Sequence, residues 1–84
     1  MTSIKKLFDK FLNYPPGLRY NEIERLLLYI GFQRIVAKGS HVKFKHYKLE
    51  NDLIIPVHNN DCKNFYKIYA AKIIKKLIYE KPEN

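Results

Sequence analysis

Two short runs of this chain carry residue types that could do chemistry together. They are Gly39-Ser40-His41 and, downstream, Ile55-Pro56-Val57-His58. A glycine frees the backbone, a serine offers a hydroxyl, and a histidine titrates near neutrality, with an unperturbed pKa of roughly 6.5. Basic segments surround them, with Lys38 and Lys43 flanking His41. Such a set suits gripping a polyphosphate and moving protons on it. RNA supplies its own nucleophile, the 2′-hydroxyl. A general base removes its proton, a general acid protonates the leaving 5′-oxygen, and nearby lysines stabilise the charge that builds on phosphorus. This chemistry calls for no metal and no cofactor. Gly39 would let the backbone approach a phosphate, and Ser40 could donate a hydrogen bond to it. The bland alternative is a Gly-Ser turn followed by a solvated histidine.

The elements that would position these residues follow from periodicity. Ser3 can cap a first helix, in which Ile4, Leu7, Phe8, Phe11 and Leu12 recur at helical spacing. Tyr14-Pro15-Pro16-Gly17 ends it, because prolines cannot continue a helix. A second helix is predicted from Tyr20 to Ile30, with Ile23, Leu26, Leu27 and Ile30 as its core face and Gly31 as its C-terminal cap. The period then changes. Phe32 to Lys38, His41 to Tyr47 and Leu53 to Val57 read as three strands, and Cys62 to Tyr79 as a closing helix whose stripes are traced by Phe65, Ile68, Tyr69, Lys72, Ile73, Lys76 and Leu77. Only the second strand alternates clearly. Val42, Phe44 and His46 point one way; His41, Lys43, Lys45 and Tyr47 point the other.

Three sequential strands with short connections should form an antiparallel meander, with helices covering one face. His41, Lys43, Lys45 and Tyr47 would then lie on the open face. The expected fold class is α+β. Residues 1–17 are read as an N-terminal helix and linker, 18–80 as the main domain, and 81–84 as a tail.

Composition narrows the partners. The chain has 84 residues, enough for one domain, and 46% hydrophobic and 14% aromatic residues argue against disorder. Sixteen basic against eight acidic residues give a net charge of +8, which favours nucleic acid, an anionic membrane surface or an acidic protein as partner. A lone Cys62 excludes an intramolecular disulfide and fits a reducing, cytoplasmic setting. No apolar run approaches the ~20 residues that span a bilayer, and the N-terminus has no signal-peptide core.

The run Gly31-Phe32, then Gly39-Ser40-His41-Val42-Lys43-Phe44, then Ile55-Pro56-Val57-His58, resembles the HicA family of toxins. The resemblance covers about Leu18 to Leu77. It implies a fold like a double-stranded-RNA-binding domain, ribosome-independent cleavage of mRNA, and His41 as the essential histidine. It also implies a HicB-type antitoxin that covers the active face and through which operator DNA is bound only indirectly. Two features depart from the family pattern. A leading helix over Ser3 to Asn13 is absent from compact members, and Asn59-Asn60-Asp61 replaces a glycine-containing turn.

Other residues carry competing readings. His58 reads as a second acid, a substrate orienter or a phosphate contact, or as a cap hydrogen-bonded where the third strand meets the last helix; the cap is favoured. His46 is expected to pack. No pair of the three histidines has metal-ligand spacing with a cysteine or acidic partner nearby. Cys62 could have its pKa lowered by a helix N-terminus, but a small capping or buried role is favoured. Lys63, Lys67, Lys72, Lys75 and Lys76 could contact phosphates, or simply form a solvated face. Tyr66, Tyr69 and Tyr79 could stack on bases, or belong to core and rim; Tyr47 is the better stacking candidate. With the phosphate chemistry at Lys38, Gly39, Ser40, Lys43, Lys45 and Tyr47 around a catalytic His41, the leading expectation is an endoribonuclease toxin. The alternatives are a non-catalytic RNA-binding module and a protein-interaction role centred on the first helix. A peripheral membrane role is weakest, since that helix is short and carries few charges.

Overall fold

A computed structural model describes residues 3–37 and 39–79 of the chain. Lys38, the Tyr79 side chain and the tail over 81–84 lie outside what is described. The elements run α1 (Ile4–Asn13), a 3₁₀ turn (Pro15–Gly17), α2 (Tyr20–Ile30), β1 (Gln33–Val36), β2 (His41–Lys45), β3 (Leu53–Pro56) and α3 (Asn64–Tyr79). The strands form one antiparallel sheet in the order β1-β2-β3. Three helices and an open three-stranded sheet make an α+β fold consistent with that of a double-stranded-RNA-binding domain.

Local chemistry sets the helix ends. The Ser3 hydroxyl accepts from Lys6 N at 3.2 Å and opens α1. The two prolines after Tyr14 have no N–H to donate, so the chain tightens into the 3₁₀ turn. At the far end of α2, Gly31 adopts φ 110°, a conformation costly for any residue with a Cβ, and turns the chain into β1.

The start of α2 has no local side-chain cap. Arg19 precedes it, and only the Glu22 carboxylate reaches back, accepting from Arg19 N at 2.9 Å. The missing acceptor arrives from 41 residues away: Asp61 Oδ1 accepts from Tyr20 N at 3.0 Å.

The core joins both sides. Leu7 and Phe11 of α1, Ile23, Leu26 and Leu27 of α2, Val42 and Phe44 of β2, Leu53 and Ile55 of β3, and Ala70, Ala71 and Ile74 of α3 belong to one buried cluster. The first helix therefore spends its apolar stripe inside the protein, where burying a Leu or Phe side chain stabilises by about 2 kcal/mol. It is not a free apolar surface.

Three expectations from the sequence need correction. The strands are shorter: β2 ends at Lys45, and Tyr47 lies beyond it in a turn rather than on the strand with His41. On α3 the buried stripe is Lys67, Ala70, Ala71 and Ile74, while Phe65, Ile68 and Tyr69 face outward. Phe65 and Tyr69 stack on each other with centroids 6.4 Å apart. Lys67 is 4% exposed, so it is no phosphate contact. Its Nζ donates to Leu18 O at 2.7 Å and pairs with Asp61 Oδ1 at 3.1 Å.

Candidate nucleic-acid interface

The turn between β1 and β2 is built for a tight reversal. Ala37 N donates to His41 O at 3.1 Å and closes the connection between the strands. Gly39 sits at φ 76°, the left-handed region that glycine enters without strain. A Cβ there would meet nothing within 4 Å, so backbone conformation rather than crowding demands the glycine, and open space lies above it.

His41 is the first residue of β2, exposed, on the face away from the helices. Its parity follows from its neighbours: Val42 and Phe44 are 7% and 0% exposed in the core, so His41, Lys43 and Lys45 must point the other way. The imidazole makes no side-chain hydrogen bond among the described residues, and neither does the Ser40 hydroxyl. Lys43 is half-exposed and leans toward Asp52, with Nζ to Oδ2 at 4.0 Å. Cross-strand, Lys43 is flanked by Ile35 and Ile54.

Not every residue of the expected set gathers at His41. Gly39, Ser40 and Lys43 are its immediate neighbours. Lys45 lies four residues along the strand, roughly 13 Å away. Tyr47 is farther still, with its ring stacked on His46 at 4.8 Å and Lys48 over it at 5.7 Å. The basic residues thus form a row along β2 rather than a ring around the histidine.

The three histidines have different fates. His46 is 7% exposed and its ring is spent: Nδ1 accepts from Lys48 N at 3.1 Å, Nε2 lies 3.4 Å from Ile30 O, and Phe32 packs on it with centroids 4.8 Å apart. The packing role expected for it holds. The hydrogen-bonded cap expected of the His58 imidazole is not made, and the cap here is only backbone. His58 N donates to Asp61 O at 2.8 Å and Asp61 N to His58 O at 3.0 Å, while the exposed imidazole has no hydrogen-bond partner among the described residues.

Sequence reasoning passed over Asp61. Burial alone would raise its carboxyl pKa, but hydrogen bonds from Cys62 N, Lys67 and Tyr20 N outweigh that and hold it below the usual carboxylate value. Its single Oδ1 ties together the start of α2, the loop after β3 and α3. No local signal marks such a residue, because its partners lie far away in the chain. Lys67 did leave a signal: it falls three, four and seven positions before Ala70, Ala71 and Ile74, on the core stripe. Cys62 is half-buried, and burial first of all pushes its thiol up, against any activation by the helix start. Among the described residues no group of three His, Cys, Asp or Glu side chains is placed to hold a metal.

The chain is thus a small α+β domain with one open sheet face, a basic row along its central strand and an exposed histidine at that strand's head. The family model for the HicA toxin of bacterial toxin–antitoxin pairs matches residues 20–77, and the chain belongs to that family. It is therefore a toxin of a toxin–antitoxin system with a cognate antitoxin as partner. Comparison with curated proteins and with solved structures gave no match. No helix among the described residues is long and apolar enough to cross a membrane.

Proposed function

We propose that the protein is an endoribonuclease that cleaves mRNA without the ribosome, with His41 moving a proton at the scissile phosphate. The observation that carries this reading is the placement of His41. It is exposed, its imidazole holds no hydrogen bond among the described residues, and it stands on the open face beside a left-handed glycine and Lys43. A histidine kept for structure spends its ring nitrogens, as His46 does. The 2′-hydroxyl attacks the adjacent phosphorus, the bond to the 5′-oxygen breaks, and a 2′,3′-cyclic phosphate is left. Lys43 supports the charge on the phosphoryl oxygens, and Lys38 and Lys45 with the rest of the +8 charge draw the RNA in.

A HicB-type antitoxin neutralises the toxin by covering this open face, and the pair reaches operator DNA through the antitoxin. The cytoplasm is the setting. Residues 18–80 carry the site, and α1 completes the core from outside the matched segment. The test is incubation of purified protein with labelled mRNA in chelator, beside His41→Ala, with end-group analysis. Cyclic-phosphate ends that disappear in the variant support the reading. Binding with steep salt dependence and no products in either protein would instead favour a non-catalytic RNA-binding module, for which the lysine row on β2 is the supporting observation.

A further inference from the structure

The proton chemistry needs two groups, and one histidine supplies one. In-line attack places the 2′-oxygen and the leaving 5′-oxygen on opposite sides of phosphorus. A single imidazole cannot hydrogen-bond both ends at once with good geometry.

The register of β2 against β3 brings the other histidine to the same place. His41 pairs with Pro56, Val42 with Ile55, Lys43 with Ile54 and Phe44 with Leu53. Beyond the end of β3 the pairing continues one step further, since Val57 N donates to Ser40 O at 2.8 Å. The next step opposes His58 to Gly39. His58 is then the diagonal neighbour of His41, a separation of about 7–8 Å between backbone positions.

Side-chain parity agrees. Along this segment Leu53 is buried, Ile54 exposed, Ile55 buried, Pro56 intermediate, Val57 packed against the core and His58 exposed. The alternation sets His58 on the open face with His41. The glycine opposite it adds no side chain, and the space where a Cβ would stand is empty to 4 Å. Two imidazoles rising from the same face, with backbones about 7–8 Å apart, leave room for a phosphate with one hydrogen bond, about 2.8 Å, to each.

The mounting of His58 is firm, although its ring is free. Asn59 and Asn60 both lie in the left-handed region, at φ 53° and 61°, so residues 58–61 close as a type I′ turn. Two backbone hydrogen bonds between His58 and Asp61 shut that turn. Asp61 is in turn held by Tyr20 N, Cys62 N and Lys67. Asparagine tolerates this backbone better than most residues and here does without the glycine that the family pattern carries. The backbone is thus locked on three sides while the imidazole has nothing to hold among the described residues. Preorganised backbone under an unspent ring is the arrangement a proton-transfer group requires.

We propose that His58 is the second proton-transfer residue, paired with His41 across the β2–β3 end of the sheet. One of the two accepts the proton of the 2′-hydroxyl as the 2′-oxygen–phosphorus bond forms. The other gives its proton to the 5′-oxygen as that bond breaks. The products are a 2′,3′-cyclic phosphate and a 5′-hydroxyl, and the two imidazoles exchange protonation states. The assignment rests on the nuclease reading above.

The experiment measures single-turnover cleavage of an RNA with one scissile linkage, in chelator, by the wild type, His41→Ala, His58→Ala and His58→Gln. Each is also given the same RNA with sulfur in place of the bridging 5′-oxygen, a leaving group that needs no proton. Melting curves check that the variants fold, and His58→Gln keeps a polar side chain in the turn. The His58 variants should lose 10²–10⁴-fold on the oxygen substrate. One of the two alanine variants, and not the other, should recover on the sulfur substrate. A folded His58→Gln that cleaves at the wild-type rate while His41→Ala is dead overturns this assignment alone. So does recovery of both alanine variants or of neither. A wild type that leaves the RNA whole overturns the nuclease reading together with it.

Discussion

Removing either partner of the Asp61–Lys67 pair should give unequal losses that do not add. Lys67→Met keeps the buried stem and removes the ammonium. Leu18 O, in a residue 1% exposed, loses its charged donor, a cost of about 1–3 kcal/mol. Against this, the ammonium no longer needs to be desolvated, and Asp61, whose side chain is 46% exposed, can turn to water. The net loss is about 1–2 kcal/mol. Asp61→Ala is worse. It leaves the Lys67 charge, 5% exposed, without its counter-charge, and strips the acceptor from Tyr20 N and Cys62 N. Breaking a fully buried pair this way costs about 3–5 kcal/mol, and access of water to the Asp61 side brings it to about 3. Once Lys67 is gone, Asp61→Ala removes only the two backbone hydrogen bonds, about 1 kcal/mol. The coupling is therefore about 2 kcal/mol. Urea unfolding followed by circular dichroism, in a His41→Ala background that spares the host cell, measures all four proteins. With a slope of about 1 kcal/mol/M, Asp61→Ala should lower the midpoint by roughly 3 M. The reasoning fails if the double variant equals the sum of the singles within about 0.5 kcal/mol, or if Lys67→Met proves the costlier change.

Three further outcomes are expected. Phe11 is 0% exposed, so Phe11→Ala should cost about 3–5 kcal/mol although it lies outside the matched family segment, and removal of residues before Pro15 should leave a chain without a cooperative melt; an unchanged melting curve for either would show that α1 is dispensable to the core. Asp61 has its folded pKa depressed below the unfolded value of about 3.9, so its contribution is complete above about pH 5 and is lost as pH falls through the folded value. The stability gap between wild type and Asp61→Asn should accordingly hold from neutrality to about pH 5 and narrow as the pH falls further, and a gap that stays constant into strong acid would refute the assignment.

Much of the scaffold is written locally. Ser3, the proline pair and Gly31 bound the helices at the expected residues, because capping and φ restriction act over a turn or less. The parity of β2 is equally readable, since the period of two belongs to the backbone itself, and it sets His41 and Lys43 on the open face. The last helix was harder. Its aromatic residues recur at helical spacing just as a core stripe would, yet Phe65 and Tyr69 face out and the small Ala70 and Ala71 face in. Hydropathy favours the larger side chains for burial. Close packing against Leu18 and α1 favours the small ones and makes room for the stem of Lys67.

What the chain determined by itself is therefore the elements, the face that carries His41, the strongly positive charge, and the family to which these belong. Only the tertiary structure decided that Asp61 caps a helix begun 41 residues earlier, that Lys67 is buried, that His46 is spent, and that the end of β3, just before His58, lies beside His41. Capping, turns and side-chain period depend on neighbours within a few residues. Register and the burial of a charge depend on which distant segments pack together, and local sequence carries no record of that.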